Sequence, residues 1–80
     1  MTYTVSIKRS AVKALKKIKR EGRLRIVDAI EQLKSNPSAG SVLKGEYSGL
    51  RRIRIGSYRI VYEVQERELV VLVIRVGHRR

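Results

Sequence analysis

Between Gly49 and Val64 the chain reads GLRRIRIGSYRIVYEV, in which Arg51, Arg52, Arg54 and Arg59 are set among isoleucine, valine and tyrosine and lysine is absent. Arg75 follows in the next apolar run, and the sequence closes on VIRVGHRR, adding His78, Arg79 and Arg80. A planar guanidinium grips phosphate oxygens two at a time and stays charged at any physiological pH. Arginines gathered on one surface therefore suit phosphate binding and the stabilisation of charge developing on a phosphoryl group. His78 is the only histidine, and its ordinary pKa lies nearest neutrality. It is the obvious general acid or base for ribonuclease-type chemistry, in which a 2′-OH attacks the adjacent phosphate and the leaving 5′-oxygen takes a proton. A lone histidine near the end of a chain is more often a solvated tail residue. Of the four tyrosines, Tyr47 stands in a loop-like stretch where it can stack on a base or simply pack; Tyr3, Tyr58 and Tyr62 follow the core pattern.

These side chains sit in a strongly basic chain. Nineteen Lys plus Arg against seven Asp plus Glu give a net charge of +12 over 80 residues. Such a field attracts nucleic acid, an anionic membrane surface or an acidic protein, and charge alone does not rank them. The length fits a single domain over 1–80. Without cysteine the chain makes no disulfide and no thiolate zinc site, which points to a reducing, cytoplasmic setting. One histidine argues against a multi-histidine metal centre. Neither a membrane-spanning run of apolar residues nor a secretory leader is visible, so no membrane role is expected.

The elements that must position the arginines follow from periodicity. Tyr3, Val5 and Ile7 alternate with polar residues, predicting a strand over 2–8. Ser10 is a suitable cap for a helix whose Ala11, Ala14, Leu15 and Ile18 fall on one stripe, with Lys13, Lys16 and Lys17 outside it. Glu21-Gly22 is expected to break that helix. Ile26, Ala29, Ile30 and Leu33 repeat the spacing, predicting a second helix from about Gly22 or Arg23 to Ser35, stopped at Asn36-Pro37. Residues 37–49 read as a loop. Three strands follow: Leu50 to Ile55, a Gly56-Ser57 turn, Tyr58 to Gln65, a turn at 66–68, and Leu69 to Val76. The order β-α-α-β-β-β implies an α+β fold, a helix hairpin covering one face of a mainly antiparallel sheet.

Alternation then sorts the faces. Ile53 and Ile55, with Tyr58, Ile60, Tyr62 and Val64, and with Val70, Leu72, Ile74 and Val76, are expected to face the helices. That leaves Arg52, Arg54, Arg59 and Arg75 together on the open face, with Val61, Val71 and Val73 among them. A charged strand face is commonly just the wet side of an antiparallel sheet. Valines mixed into it suit a partly covered surface instead. Gly77 is expected to end the last strand, leaving His78, Arg79 and Arg80 in a basic tail at its rim.

The string LKGEYSGLRRIRIGSYRIVYEV followed by VVLVIRVGHRR resembles the toxins of the RelE/ParE superfamily of toxin–antitoxin systems. The likeness covers nearly the whole chain and rests on the helix hairpin after a first strand, on L-x-G-x4-L-R-x-x-R-x-G-x-Y-R-x-x-Y, and on the closing V-G-x-R. The RelE branch implies an mRNA interferase, an endoribonuclease that enters the ribosomal A site and cuts the bound mRNA codon without metal or organic cofactor. By motif, its two basic residues on the second strand fall on Arg52 and Arg54, its arginine after the tyrosine of the third strand on Arg59, and its final arginine on Arg79. The resemblance implies that Arg52, Arg54 and Arg59 hold the scissile phosphate and that Arg79 assists the leaving group. Arg51, Arg75, Arg80, Lys13, Lys16 and Lys17 would extend the surface that meets RNA and ribosome. Many RelE-type toxins carry an E-V-Y-like tail whose tyrosine is the general base, and Arg80 precedes that point. The proton acceptor is then a residue further on, or His78 or a neighbour, or the chain is a weak nuclease. The alternatives are a ParE-like protein that poisons DNA gyrase without hydrolysis, and a plain RNA-binding module. Either toxin reading implies a cognate, acidic antitoxin.

Overall fold

In the computed structural model, which describes residues 2–43 and 49–78, the alternating start of the chain forms β1 (Thr4–Ile7) and lies at one edge of the sheet. It is followed by α1 (Arg9–Lys16), α2 (Arg20–Gln32), β2 (Ser41–Val42), β3 (Leu50–Ile55), β4 (Tyr58–Gln65) and β5 (Val70–His78). The strands lie in the order β1-β5-β4-β3-β2. Only β1 against β5 is parallel; the other pairs are antiparallel. The α+β architecture is the one the sequence predicts. No helix among the described residues is long and apolar enough to cross a membrane.

α1 packs over β5 and α2 over β3 and β4. Their stripes, Ala11 and Leu15 from the first and Ile26, Ala29, Ile30 from the second with Leu33 just beyond, meet Ile60, Tyr62, Val71, Val73 and Val76 in one buried core. Tyr3, Val5, Ile7 and Tyr58 pack around it. Burying such a side chain contributes about 1.5–3 kcal/mol.

The helix boundaries differ from those predicted. Lys8, not Ser10, is the N-cap of α1, with extended φ −60° and ψ 147°. Its N–H still bonds Val73 O at 2.9 Å while its C=O already accepts from Val12 N–H. The strand passes directly into the helix, which places Ser10 in the first turn. The break between helices comes at Lys17–Lys19, where Lys19 is extended and caps α2. Glu21 and Gly22 lie inside α2. A Cβ on Gly22 would sit 2.9 Å from Tyr58 Cε2 and 3.1 Å from Ile18 Cγ2, so this glycine lets the helix close onto the sheet. It does not end α1.

The segment read as a loop contains β2, which pairs Ser41 with Arg52 and Val42 with Arg51. The approach to it is pinned by Tyr62, which is fully buried. The Tyr62 hydroxyl donates to Pro37 O at 2.8 Å and accepts from Gly40 N–H at 2.9 Å. Gly40 passes so close that a Cβ would lie 2.7 Å from Arg52 O.

The last strand departs most. It starts at Val70, since Leu69 takes a left-handed φ of 55°, and runs through Gly77 to His78, pairing Arg59 with Gly77 and Tyr58 with His78. Between Val61↔Arg75 and Tyr62↔Val73 the register shifts, making Ile74 the extra residue of a β-bulge. Val71 and Val73 are therefore in the core at 0 % exposure, with Val76. Leu72, opposite Glu63, and Ile74 turn to the open side. This reverses the predicted faces for 70–74. The bulge restores the parity afterwards, so Arg75 is on the open face as expected.

Candidate nucleic-acid interface

The open face of β3, β4 and β5 is built by register. Arg52, Val61 and Arg75 stand side by side across the three strands, and Arg54, Arg59 and Gly77 form the next row. Side chains directly opposite one another are about 5 Å apart at Cβ. Arg54 and Arg59 thus face each other across the strand pair, which concentrates positive charge on this row.

These rows border a hollow of about 730 Å³ lined by Leu43, Leu50, Arg52, Arg59, Val61, Ile74, Arg75, Gly77 and His78. Ligand sites run to roughly 300–1,000 Å³. Two further hollows are smaller, about 480 Å³ beside β1 and about 290 Å³ between α2 and β3. Glu31 lines the first and Asp28 the second. The arginine hollow has no acidic residue among its described lining. It pairs cations with an apolar floor of Val61, Ile74 and Leu50, the combination that suits a chain of phosphates carrying flat bases. Arg59 is half-buried, its Nε shielded from solvent, while Arg54 and Arg75 are exposed. No three His, Cys, Asp or Glu side chains come together among the described residues.

The other candidates are placed differently. Arg51 alternates onto the helix side of β3, where its Nη1 donates to Gly40 O at 2.8 Å and to Ser38 O at 3.4 Å. It braces the same loop that Tyr62 holds. Burial pushes the Tyr62 hydroxyl above its ordinary pKa of 10.0, while the Gly40 N–H and the Arg51 charge pull it down in part. Lys13 and Lys16 are exposed on α1 and Lys17 at its C-cap, beyond the covered face of the sheet, and they do not line the hollow. His78 is paired in β5 and is not in a tail. Its ring meets Tyr58 edge-on, with centroids 5.0 Å apart at 73°, and Tyr58 belongs to the helix-side set. His78 therefore contributes to the rim of the hollow without its ring joining the arginines. Tyr47, Arg79 and Arg80 lie outside the described residues.

Alternation puts Leu50 on the face of Arg52 and Arg54 but does not find Leu43 or Ile74. Leu43 and Leu50 carry no chemical signature, and the parity of Ile74 depends on the bulge. Gly77 did carry a signal, a glycine between the apolar run and the basic end, with no turn partner beside it.

Residues 5–80 match the family model for the ParE toxin of type II toxin–antitoxin systems. The chain belongs to the RelE/ParE toxin superfamily. Its structure is similar to the toxin–antitoxin complex RelBE of Mycobacterium tuberculosis, with 28 % identity and TM-score 0.91, covering 99 % of this chain and 93 % of that one. It is similar also to the RelE–RelB complex of Pyrococcus horikoshii, with 30 % identity, TM-score 0.82, and 99 % and 97 % covered. The isolated RelE toxin of E. coli matches at 26 % identity and TM-score 0.85, over 98 % and 85 %. No curated protein matches the sequence. Within the superfamily these likenesses place the chain in the RelE-like branch.

Proposed function

We propose that this RelE-like toxin is an mRNA interferase, an endoribonuclease that cuts mRNA in the ribosomal A site. The observation that carries the reading is the pair of cross-strand rows, which puts Arg52, Arg59 and Arg75 around one apolar-floored hollow with Arg54 beside it. Guanidiniums there hold the phosphodiester in two-pronged contact and take up the charge that grows on its oxygens as the 2′-OH attacks. They donate hydrogen bonds and do not accept protons at physiological pH. The described arginines thus supply grip and charge stabilisation, and the proton acceptor is a separate group.

The experiment is to map mRNA 5′ ends after brief induction, comparing the chain with Arg52→Ala and Arg59→Ala variants whose circular dichroism matches the wild type. In-frame cuts within translated codons that vanish in the variants support the reading. Growth arrest with intact mRNA and inhibited supercoiling would instead support a ParE-like gyrase inhibitor, a second reading favoured by the family model that the sequence matches.

The cytoplasmic partner is an acidic antitoxin. The Mycobacterium relative is a toxin–antitoxin complex and the Pyrococcus relative a RelE–RelB complex, and Leu24, Val27 and Val42 are exposed here at 55 %, 42 % and 55 %. Co-expression of the neighbouring reading frame should restore growth, and failure of every adjacent frame to do so counts against the toxin reading.

A further inference from the structure

The described glycines other than Gly77 each have a reason within the fold. Gly22 and Gly40 have no room for a Cβ, and Gly49 and Gly56 have φ of 94° and 58°. Gly77 is under neither constraint. It is a paired strand residue opposite Arg59, and beyond its two chain neighbours the nearest described heavy atom to a Cβ built on it is Arg75 Nε at 4.0 Å. A glycine within a strand costs backbone entropy and offers nothing to pack, so a side chain would serve the strand better.

What the missing side chain does is keep the third position of the Arg54–Arg59–Gly77 row empty. Gly77 lines the arginine hollow, with Arg59 across the strand pair and Arg75 two residues earlier on the same face. Its other flank is not closed by β1, whose pairing with β5 runs from Val70 to Val73. A glycine in a strand marks a bulge, a tight bend or a place where a ligand or another backbone comes close, and the bulge of this strand lies at Ile74, not at Gly77.

We infer that Gly77 is a clearance residue, admitting a ribose–phosphate unit of single-stranded RNA to the sheet between Arg59 and Arg75 while the neighbouring base rests on Val61 and Ile74. This rests on the interferase reading and deepens it, because it names where the reacting sugar–phosphate seats. Gly77 positions that unit by leaving room for it and has no chemical part of its own.

The test compares wild type, Gly77→Ala, Gly77→Val, Gly22→Ala and Arg52→Ala. It uses thermal unfolding and single-turnover cleavage of an mRNA held in the vacant A site of purified bacterial ribosomes. Gly77→Ala should melt within about 4 °C of wild type or higher, as a surface change does. Its half-saturating ribosome concentration should stay near the wild-type value. The maximal rate should fall about tenfold with alanine and about a hundredfold with valine, the cost of misplacing a reacting group by an ångström or so. Wild-type rates in a folded Gly77→Val chain, with Arg52→Ala impaired, overturn the inference and leave the interferase reading standing. A fall in melting temperature for Gly77→Ala as large as that for Gly22→Ala also overturns it, because the glycine then serves packing. A wild-type chain that cuts nothing, or an unimpaired Arg52→Ala, removes the interferase reading and this inference with it.

Discussion

The two faces of the sheet share their strands and little else. On the covered face Ile60, Tyr62, Val71, Val73 and Val76 meet the helices with almost no exposure, and the glycines beside them, Gly22 and Gly40, are demanded by contacts that a Cβ would violate. On the open face the corresponding positions carry Arg52, Arg54, Arg59 and Arg75 around apolar floor residues, and among the described residues the glycine there has room around it. Arginine is used on both sides, with different work. Arg51 holds backbone carbonyls of the loop before β2, whereas Arg52, its neighbour in sequence, lines the hollow. One face is packed and the other is basic and open, so under the proposed function a change on one should be read as stability and on the other as activity.

The largest separation is expected from a pair of isoleucines. Ile60→Ala, at 0 % exposure, should cost about 2–5 kcal/mol through the cavity it leaves. Ile74→Ala, on the open side of the bulge, should cost about 1 kcal/mol or less, since little of its burial is in the core. Denaturant titration of both variants decides this, and equal losses would mean that the register drawn across the bulge is wrong.

Next come the arginines. Arg52→Ala should keep stability within about 0.5 kcal/mol while cleavage falls about 100- to 1,000-fold, the usual cost of removing one group that stabilises developing charge. Unfolding of this variant would give Arg52 a structural role and count against its proposed role in binding phosphate.

The smallest effect is on the loop brace. Tyr62→Phe removes the hydroxyl that accepts from Gly40 N–H and donates to Pro37 O, at a cost of about 1–3 kcal/mol. The folded-state pKa of Tyr62 lies above its ordinary 10.0. The stability that this shift confers is whole below that pH and is lost as pH rises through the folded value. Alkaline denaturation above about pH 10 should therefore be shallower in Tyr62→Phe than in wild type, as circular dichroism against pH would show.

Much of this was legible beforehand, and the exceptions have physical causes. Helix stripes such as Ile26, Ala29, Ile30 and Leu33 are readable because a helix with one polar face must repeat every three to four residues. Arg52, Arg54 and Arg59 were assignable because β3 and β4 alternate polar with apolar. β5 does not alternate: VVLVI is apolar on both faces, and a slip of one residue leaves the pattern unchanged. Its bulge was invisible for that reason. The break at Lys17–Lys19 was missed because it uses an ordinary lysine in an extended conformation, while the glycine that looked like a terminator is a packing residue. β2 is two residues long, too short for any period to show.

The order of elements, the α+β class, the basic field and the arginine-rich meander were determined by the sequence itself, because each follows from local periodicity or from composition. The tertiary structure decided the rest: that Arg51 reaches the Ser38 and Gly40 carbonyls, that the His78 ring meets Tyr58 edge-on, and that Ile74 rather than Val73 floors the hollow. It also separates Gly22 and Gly40, which the packing closes, from Gly77, which it leaves open. These outcomes depend on which strand lies opposite which residue, and register is set by contacts between segments far apart in the chain.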